Sequence, residues 1–297
     1  MSAKKLSRRD FLTTGTGAAA VGLVAGGGAP AEGGADKPRG RVVLVRDPNV
    51  LGDDGQANPK ILHDMLNRGV ASLLEEEDPA AAWRRLISSS DIVGIKSNVW
   101  GYLPTPPALE EAIRSEVLRV GVKADDISVD DRGVRTNPVF RRATAIINTR
   151  PLRTHDWSGL GTCIKNLIMY VDRPPAYHGD ACAPLGAIWR LPEIEGKVRL
   201  NILVMLTPQF HSTGPHSFSR KHVWPYLGLI IGVDPVAVDA TGARIIEAKR
   251  KLFFGDDRPI KPPPHHIQIA DTQYKLGVSD PDRIDIVRLG FMDDALI

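Results

Sequence analysis

LGLIIGVDPVAVDATGARIIEAKRK, residues 227–251, passes from an apolar run of strand length to a helical pattern within two residues. Leu229, Ile230, Ile231 and Val233 make the strand, which reads as buried on both faces. Asp234 then predicts a helix start, because its carboxylate can accept from the free amides of a first turn. Pro235 suits the first helical position, where no donor is lost. A buried strand feeding straight into a helix over 235–251 is the repeating unit of an α/β sheet.

The same alternation extends in both directions. Further strands are predicted at 41–46 (RVVLVR), 91–96 (DIVGIK), 127–130, 143–148, 198–206 and 284–289. Helices are predicted at 59–76, where Ile61, Leu62, Met65, Leu66, Val70 and Leu73 fall at helical spacing, and at 108–120, 161–171 and 265–276. The expected fold is α/β, a mostly parallel or mixed central sheet with helices on both faces, in a single domain over 41–297. The Pro-rich run at 259–264 reads as a stiff surface segment, and no internal repeat is evident.

Ahead of that domain, Lys4, Lys5, Arg8 and Arg9 precede an uncharged, Gly- and Thr-diluted stretch over 11–29, and Ser7-Arg8-Arg9-Asp10-Phe11-Leu12 matches a twin-arginine export signal. The stretch is too weakly apolar for a stable transmembrane span. Ala29, Pro30 and Ala31 predict cleavage before Glu32, so 1–31 reads as signal and 32–40 as linker. The expected location is the periplasm or another extracytoplasmic space, with the twin-arginine translocase as a transient partner. The chain has 38 basic and 35 acidic residues, of which 1–31 hold four and one. The remainder carries 34 of each sign. That neutrality gives no basic face for a nucleic acid, so none is expected as a partner.

Only two cysteines are present, Cys163 and Cys182. They could pair in an oxidising compartment or stay as buried thiols, and they are too few for an iron–sulfur cluster. Polar residues gather where the predicted strands end: Lys96 with Asn98, Asp130 with Asp131, and Asn148. In open, mostly parallel sheets ligands bind at the strands' carboxyl ends, although Asn and Asp there also serve as ordinary turn formers. The densest constellation runs from His155 through Lys165 and Asn166 to His178. A buried lysine has a lowered pKa and can act as a base, and imidazoles can move protons near neutral pH or ligate a metal. The plainer alternative puts the lysine and histidines on the surface. Asp239, among Val236, Ala237, Val238 and Ala240, needs a cationic or polar partner, and a structural pairing with Lys96 or Lys165 would satisfy it. His211 and His216, in a Gly- and Pro-containing loop, are candidate metal ligands, although their spacing matches no known zinc motif. Gly159 and Gly161 follow no predicted strand, which argues against a dinucleotide site.

Taken together, Ile95-Lys96-Ser97-Asn98, Asp130-Asp131, Asn148 with Arg153-Thr154-His155, Lys165-Asn166 and the segment GVDPVAVDA at 232–240 resemble the family catalogued as domain of unknown function 362, over roughly 42–289. Arg153 stands where that family usually has Lys, and Val204 where members often have an acid. The fused cluster module of some relatives would need cysteines absent here. The resemblance implies a site map and no settled activity. Two function classes follow. One is an exported enzyme doing Lys- and His-assisted proton transfer, or metal-assisted chemistry, on a small polar or anionic substrate. Its catalytic residues would be His155, Lys165 and Asp239, with Lys96, Asn98, Asp131, Asn148, Asn166 and His178 holding the small-molecule ligand or cofactor. The other is an exported binding protein that holds such a ligand or a metal ion without turning it over.

Overall fold

Six strands running the same way set the architecture of the computed structural model, which describes residues 39–212, 217–255 and 258–297. The strands are β1 (Gly40–Arg46), β2 (Val93–Lys96), β3 (Ile127–Asp130), β4 (Ala145–His155), β5 (Gly159–Gly161), β6 (Val198–Gln209), β7 (Gly228–Gly232) and β8 (Ile284–Gly290). They form one sheet in the order β3-β2-β4-β6-β7-β1-β8, with β5 attached to β4. Pairing is parallel for β3–β2, β2–β4, β4–β6 and β1–β8, and antiparallel wherever β7 or β5 takes part. The carboxyl ends of β1, β2, β3, β4, β6 and β8 therefore share one edge, the edge where α/β sheets bind ligands.

Side chains alternate across the sheet and give two apolar layers. Val43, Val45, Ile95, Ile147, Ile202 and Ile231 face α1 (Pro59–Leu73), α2 (Pro79–Leu86) and α3 (Pro107–Val120). Val42, Leu44, Ile146, Leu152, Leu203 and Ile230 lie in the opposite layer. That layer holds α4 (Pro138–Arg142), α5 (Cys163–Asn166), α6 (Leu185–Ile188), α7 (Pro235–Phe254) and α8 (His265–Thr272). The result is a three-layer α/β domain with helices on both faces.

Local chemistry marks most of the helix boundaries. Asn58, Asp78, Asn137 and Asp234 each accept from two first-turn amides and are each followed by Pro, fixing the starts of α1, α2, α4 and α7. Gly121 and Gly255, at φ 102° and 70°, end α3 and α7 in the left-handed conformation that glycine adopts without strain.

Three expectations change. The strand predicted at 143–148 runs on to His155, so Asn148 sits in mid-strand, opposite Lys96 on one side and Asn201 on the other. Polar residues inside β4 interrupt the apolar run by which buried strands are recognised, and so hid its length. Gly159 and Gly161 do follow a strand, since β5 folds back antiparallel on β4. The helix predicted at 161–171 is one α-turn, α5, continued by the 3₁₀ turn Leu167–Tyr170. The twin-arginine signal, its cleavage site, most of the linker and His216 lie outside the described residues. Among the described residues no helix is long and apolar enough to cross a membrane.

Candidate functional site

Every residue of β4 is buried. Asn148 and Arg150, two positions apart, both project towards α5: Asn148 donates to the Cys163 carbonyl at 3.0 Å, and the Arg150 guanidinium lies against Gly161. Gly161 is needed for that approach, because a Cβ there would sit 2.6 Å from Arg150 Nη2.

Four asparagines tie α5 to the strands. Asn98 Nδ2 donates to Asn166 Oδ1 at 3.3 Å, Asn166 Nδ2 to Asn148 Oδ1 at 2.9 Å, and Asn148 Nδ2 to Asn201 Oδ1 at 2.9 Å. Asn201 Nδ2 in turn reaches the Val233 carbonyl at 3.2 Å, and Asn166 Nδ2 also reaches the Thr149 carbonyl at 3.0 Å. Asn148, Asn166 and Asn201 are fully or almost fully buried, so these bonds meet their polar demand inside the protein. Their role here is to fix geometry.

Lys96 and Asp131 are likewise engaged with each other. Lys96 Nζ lies 2.5 Å from Asp131 Oδ1 and donates to the Ser97 carbonyl at 2.6 Å, while Asp131 Oδ2 accepts from the Val99 amide at 2.9 Å. Burial pulls the Lys96 pKa down to about 8 against the opposing pull of Asp131. This closed ion pair joins the ends of β2 and β3.

Asp239 pairs with neither Lys96 nor Lys165, contrary to the structural pairing that its burial suggested. Its two oxygens accept from the backbone amides of Cys163 (2.9 Å) and Ile164 (2.8 Å), capping the start of α5 from α7. Burial raises its pKa to about 7, opposed by the Thr162 hydroxyl and those two amides. As the acid that seats α5, Asp239 is a positioning residue for Lys165.

What remains is a group of cations that make no salt bridge among the described residues. Arg150 is 4% exposed, its Nε has no hydrogen-bond partner, and among the described residues no salt bridge reaches its guanidinium, although Asp131 and Asp239 act on it at longer range. Arg153 stacks over Trp100 at 3.8 Å and makes one long bond, to the Thr154 carbonyl at 3.4 Å. Lys165, also buried, has the Cys182 sulfur as its partner, 3.6 Å from Nζ. Burial lowers the pKa of all three, and Arg150 further lowers the other two: Lys165 falls to about 8, and Arg153 to about 9, which leaves it charged at neutral pH. Unpaired buried charge is expensive unless something compensates it.

His155 borders this group. Its Nδ1 accepts from the Trp157 amide at 3.2 Å, which places the ring proton on Nε2. Burial first, then the charges of Lys165, Arg153 and Arg150, hold its pKa far below the ordinary value. It is therefore a neutral imidazole. His178 stacks near Trp157, with ring centroids 4.2 Å apart, and lies 6.5 Å from His155. Cys182, which approaches Lys165, ends a run of three residues at positive φ with Asp180 and Ala181, a strained turn of the kind that gathers at functional sites. Cys182 and Cys163 are both free thiols.

Two members of the cluster were not among the site residues expected from the sequence. Arg150 had no motif to mark it; the available signal was an arginine inside a run that otherwise reads as strand. His266 is fully buried, with Nδ1 unpartnered and Nε2 3.4 Å from Thr162 Oγ1. Burial, followed by Lys165 and Arg150, lowers its pKa to about 3. His211 lies elsewhere, beside His222 with ring centroids 4.7 Å apart, and the Arg250 guanidinium is 3.1 Å from its Nδ1. A cation next to that nitrogen disfavours metal binding there. Among the described residues no group of three or more His, Cys, Asp or Glu is arranged around a metal position.

Fold and site together define an α/β protein with a buried cationic centre at the carboxyl edge of a mixed sheet. Residues 93–244 match the family model described as Domain of unknown function (DUF362), and the chain belongs to that family. No curated protein and no solved structure matches it.

Proposed function

We propose that this protein is an exported enzyme that binds a small anionic substrate on Arg150, Arg153 and Lys165 and transfers a proton on it. The observation that carries the reading is Arg150, a buried guanidinium whose Nε has no hydrogen-bond partner and whose charge no salt bridge meets among the described residues. Guanidinium groups suit carboxylate and phosphate because their N–H donors match two oxygens at once. An acid bound there neutralises the cluster and lowers its cost.

Lys165 is the base. With a pKa of about 8, about a tenth of it is neutral amine at pH 7. The amine takes a proton from the bound substrate and becomes an ammonium beside the substrate's negative charge. His155, neutral with its proton on Nε2, donates a hydrogen bond to the oxygen on which charge develops. Asp239 and the asparagines hold α5, and so Lys165, in place. The metal-assisted branch has less support, because Arg250 stands against His211.

The test is calorimetric titration of the mature protein with a panel of small carboxylates and phosphates, coupled to uptake of solvent deuterium by the bound acid. Lys165→Ala should keep affinity within about tenfold and lose deuterium uptake. Loss of affinity in that variant, with no uptake by the unaltered protein, would instead make this a binding protein without turnover.

The export reading rests on Arg8 and Arg9 in their twin-arginine context. Replacing both with Lys should leave the precursor in the cytoplasm, as fractionation would show. Unchanged export would overturn it.

A further inference from the structure

His155 has a second neighbourhood. A cavity of about 340 Å³ includes His155 in its wall, with the hydroxyl-bearing Thr154 and Ser212 beside it. Arg250, Arg258 and Lys261 also line it, against one acid among the described residues, Asp156. Its volume falls at the small end of ligand pockets, which suits a metabolite and not a polymer.

Arg250 gives the cavity its built-in donor. It is 6% exposed, and its guanidinium is fixed by the carbonyls of Arg258 (2.9 Å), Phe210 (2.9 Å) and Pro259 (3.2 Å). Those carbonyls hold the plane without cancelling the positive charge; burial and then Arg258 lower the Arg250 pKa, and the Glu247 carboxylate raises it. Thr154 Oγ1 donates to Ser212 Oγ at 3.0 Å, and Ser212 Oγ donates in turn to Asp156 Oδ1 at 3.5 Å, which ties up the one acid of the wall. The cations and a neutral imidazole donor together make an acceptor-seeking wall.

We propose that the substrate is an elongated organic acid with two acidic groups, one held by Arg150 and Lys165 and the second, a carboxylate or a phosphate, held in this cavity against Arg250 and Lys261. His155 joins the two places, since it lines the cavity and lies on β4 just beyond Arg150 and Arg153. The inference rests on the anion-binding reading of the Arg150 cluster and adds the shape of the ligand to it.

The experiment compares affinities within matched pairs: monocarboxylates against dicarboxylates of the same chain length, and against phosphorylated acids, with inorganic phosphate as the tail-less probe. In the unaltered protein the second acid should improve affinity about tenfold, the scale of one charge-assisted hydrogen bond. That ratio should fall towards one in Lys261→Met and in Arg250→Lys, the second of which keeps the charge but loses the Nη2 donor not spent on the carbonyls and His211. The dicarboxylate and phosphate arms show which acid the cavity takes. Equal affinity for one-acid and two-acid ligands, or a ratio that survives both variants, would overturn the cavity assignment. If tail-less anions bind and Arg150→Met abolishes that binding, the Arg150 cluster would still stand. No binding by any member of the panel would overturn both.

Discussion

Lys165 and Asp239 show how residue chemistry here is set by surroundings. A lysine with its folded pKa near 8 and an unfolded value near 10.5 binds fewer protons in the native state between those limits. Lys96 behaves the same way. Stability from these two groups therefore rises as pH goes from about 8 to 10. Anion affinity moves the other way, because Lys165 loses its charge across pH 8. Melting temperatures and titrations at pH 7, 8 and 9 should show the two trends opposed; parallel trends would contradict the assignment. Asp239→Ala leaves the Cys163 and Ile164 amides without an acceptor, so it should cost about 2 kcal/mol in denaturant unfolding and weaken anion binding through a displaced α5. The residue types at this site were legible, since a lysine, an aspartate and histidines amid apolar sequence ask for partners. Their partners were not. Whether Asp239 meets an ammonium or two amides depends on how α7 crosses α5, which is a tertiary fact.

At the scale of elements, α5 is a single turn and could not persist alone. It stands because Asp239 caps one end and Asn166 bonds to β4 and to the loop after β2. The approach of β5 to Arg150 supplies a test. Gly161→Ala would place a methyl where Arg150 Nη2 now lies. That contact is with the far end of a flexible side chain, so melting should change by only a few degrees, while anion affinity should fall several-fold as the guanidinium is displaced. A large loss of stability with unchanged affinity would put the role of Gly161 in the backbone instead. The helix α1 was legible from its apolar spacing, and β7 with α7 from one continuous stretch with Asp234 before Pro235, whereas α2 and α4, which begin the same way at Asp78 and Asn137, were not read. The length of β4 was not, because Asn148, Thr149, Arg150, Arg153 and Thr154 break the apolar run. The polar residues that conceal the strand are those that build the site.

For the whole molecule, topology explains why so many functional groups meet. Six strands run in the same direction, and only β7 and β5 oppose them, so lysine, arginine and histidine from distant parts of the chain arrive at one edge. The neutral charge balance beyond residue 31 makes this a local concentration of cations and not a general property of the surface. The sequence pattern was sufficient for the α/β class, with strands and helices alternating and no long structureless insertion. It could not reveal which cations would lack counterions, because that is decided by every pairing around them. Calorimetric titration of anions into the unaltered protein and into Arg150→Met tests the central claim most directly, with melting temperature recorded for both. At least one small carboxylate or phosphate should bind the unaltered protein and bind the variant at least tenfold more weakly. The variant should melt no lower, since replacing an unpaired buried charge with an apolar side chain of similar size relieves a cost. Equal affinity in the two proteins, or a variant that binds normally and melts well below the original, would contradict an anion site at Arg150.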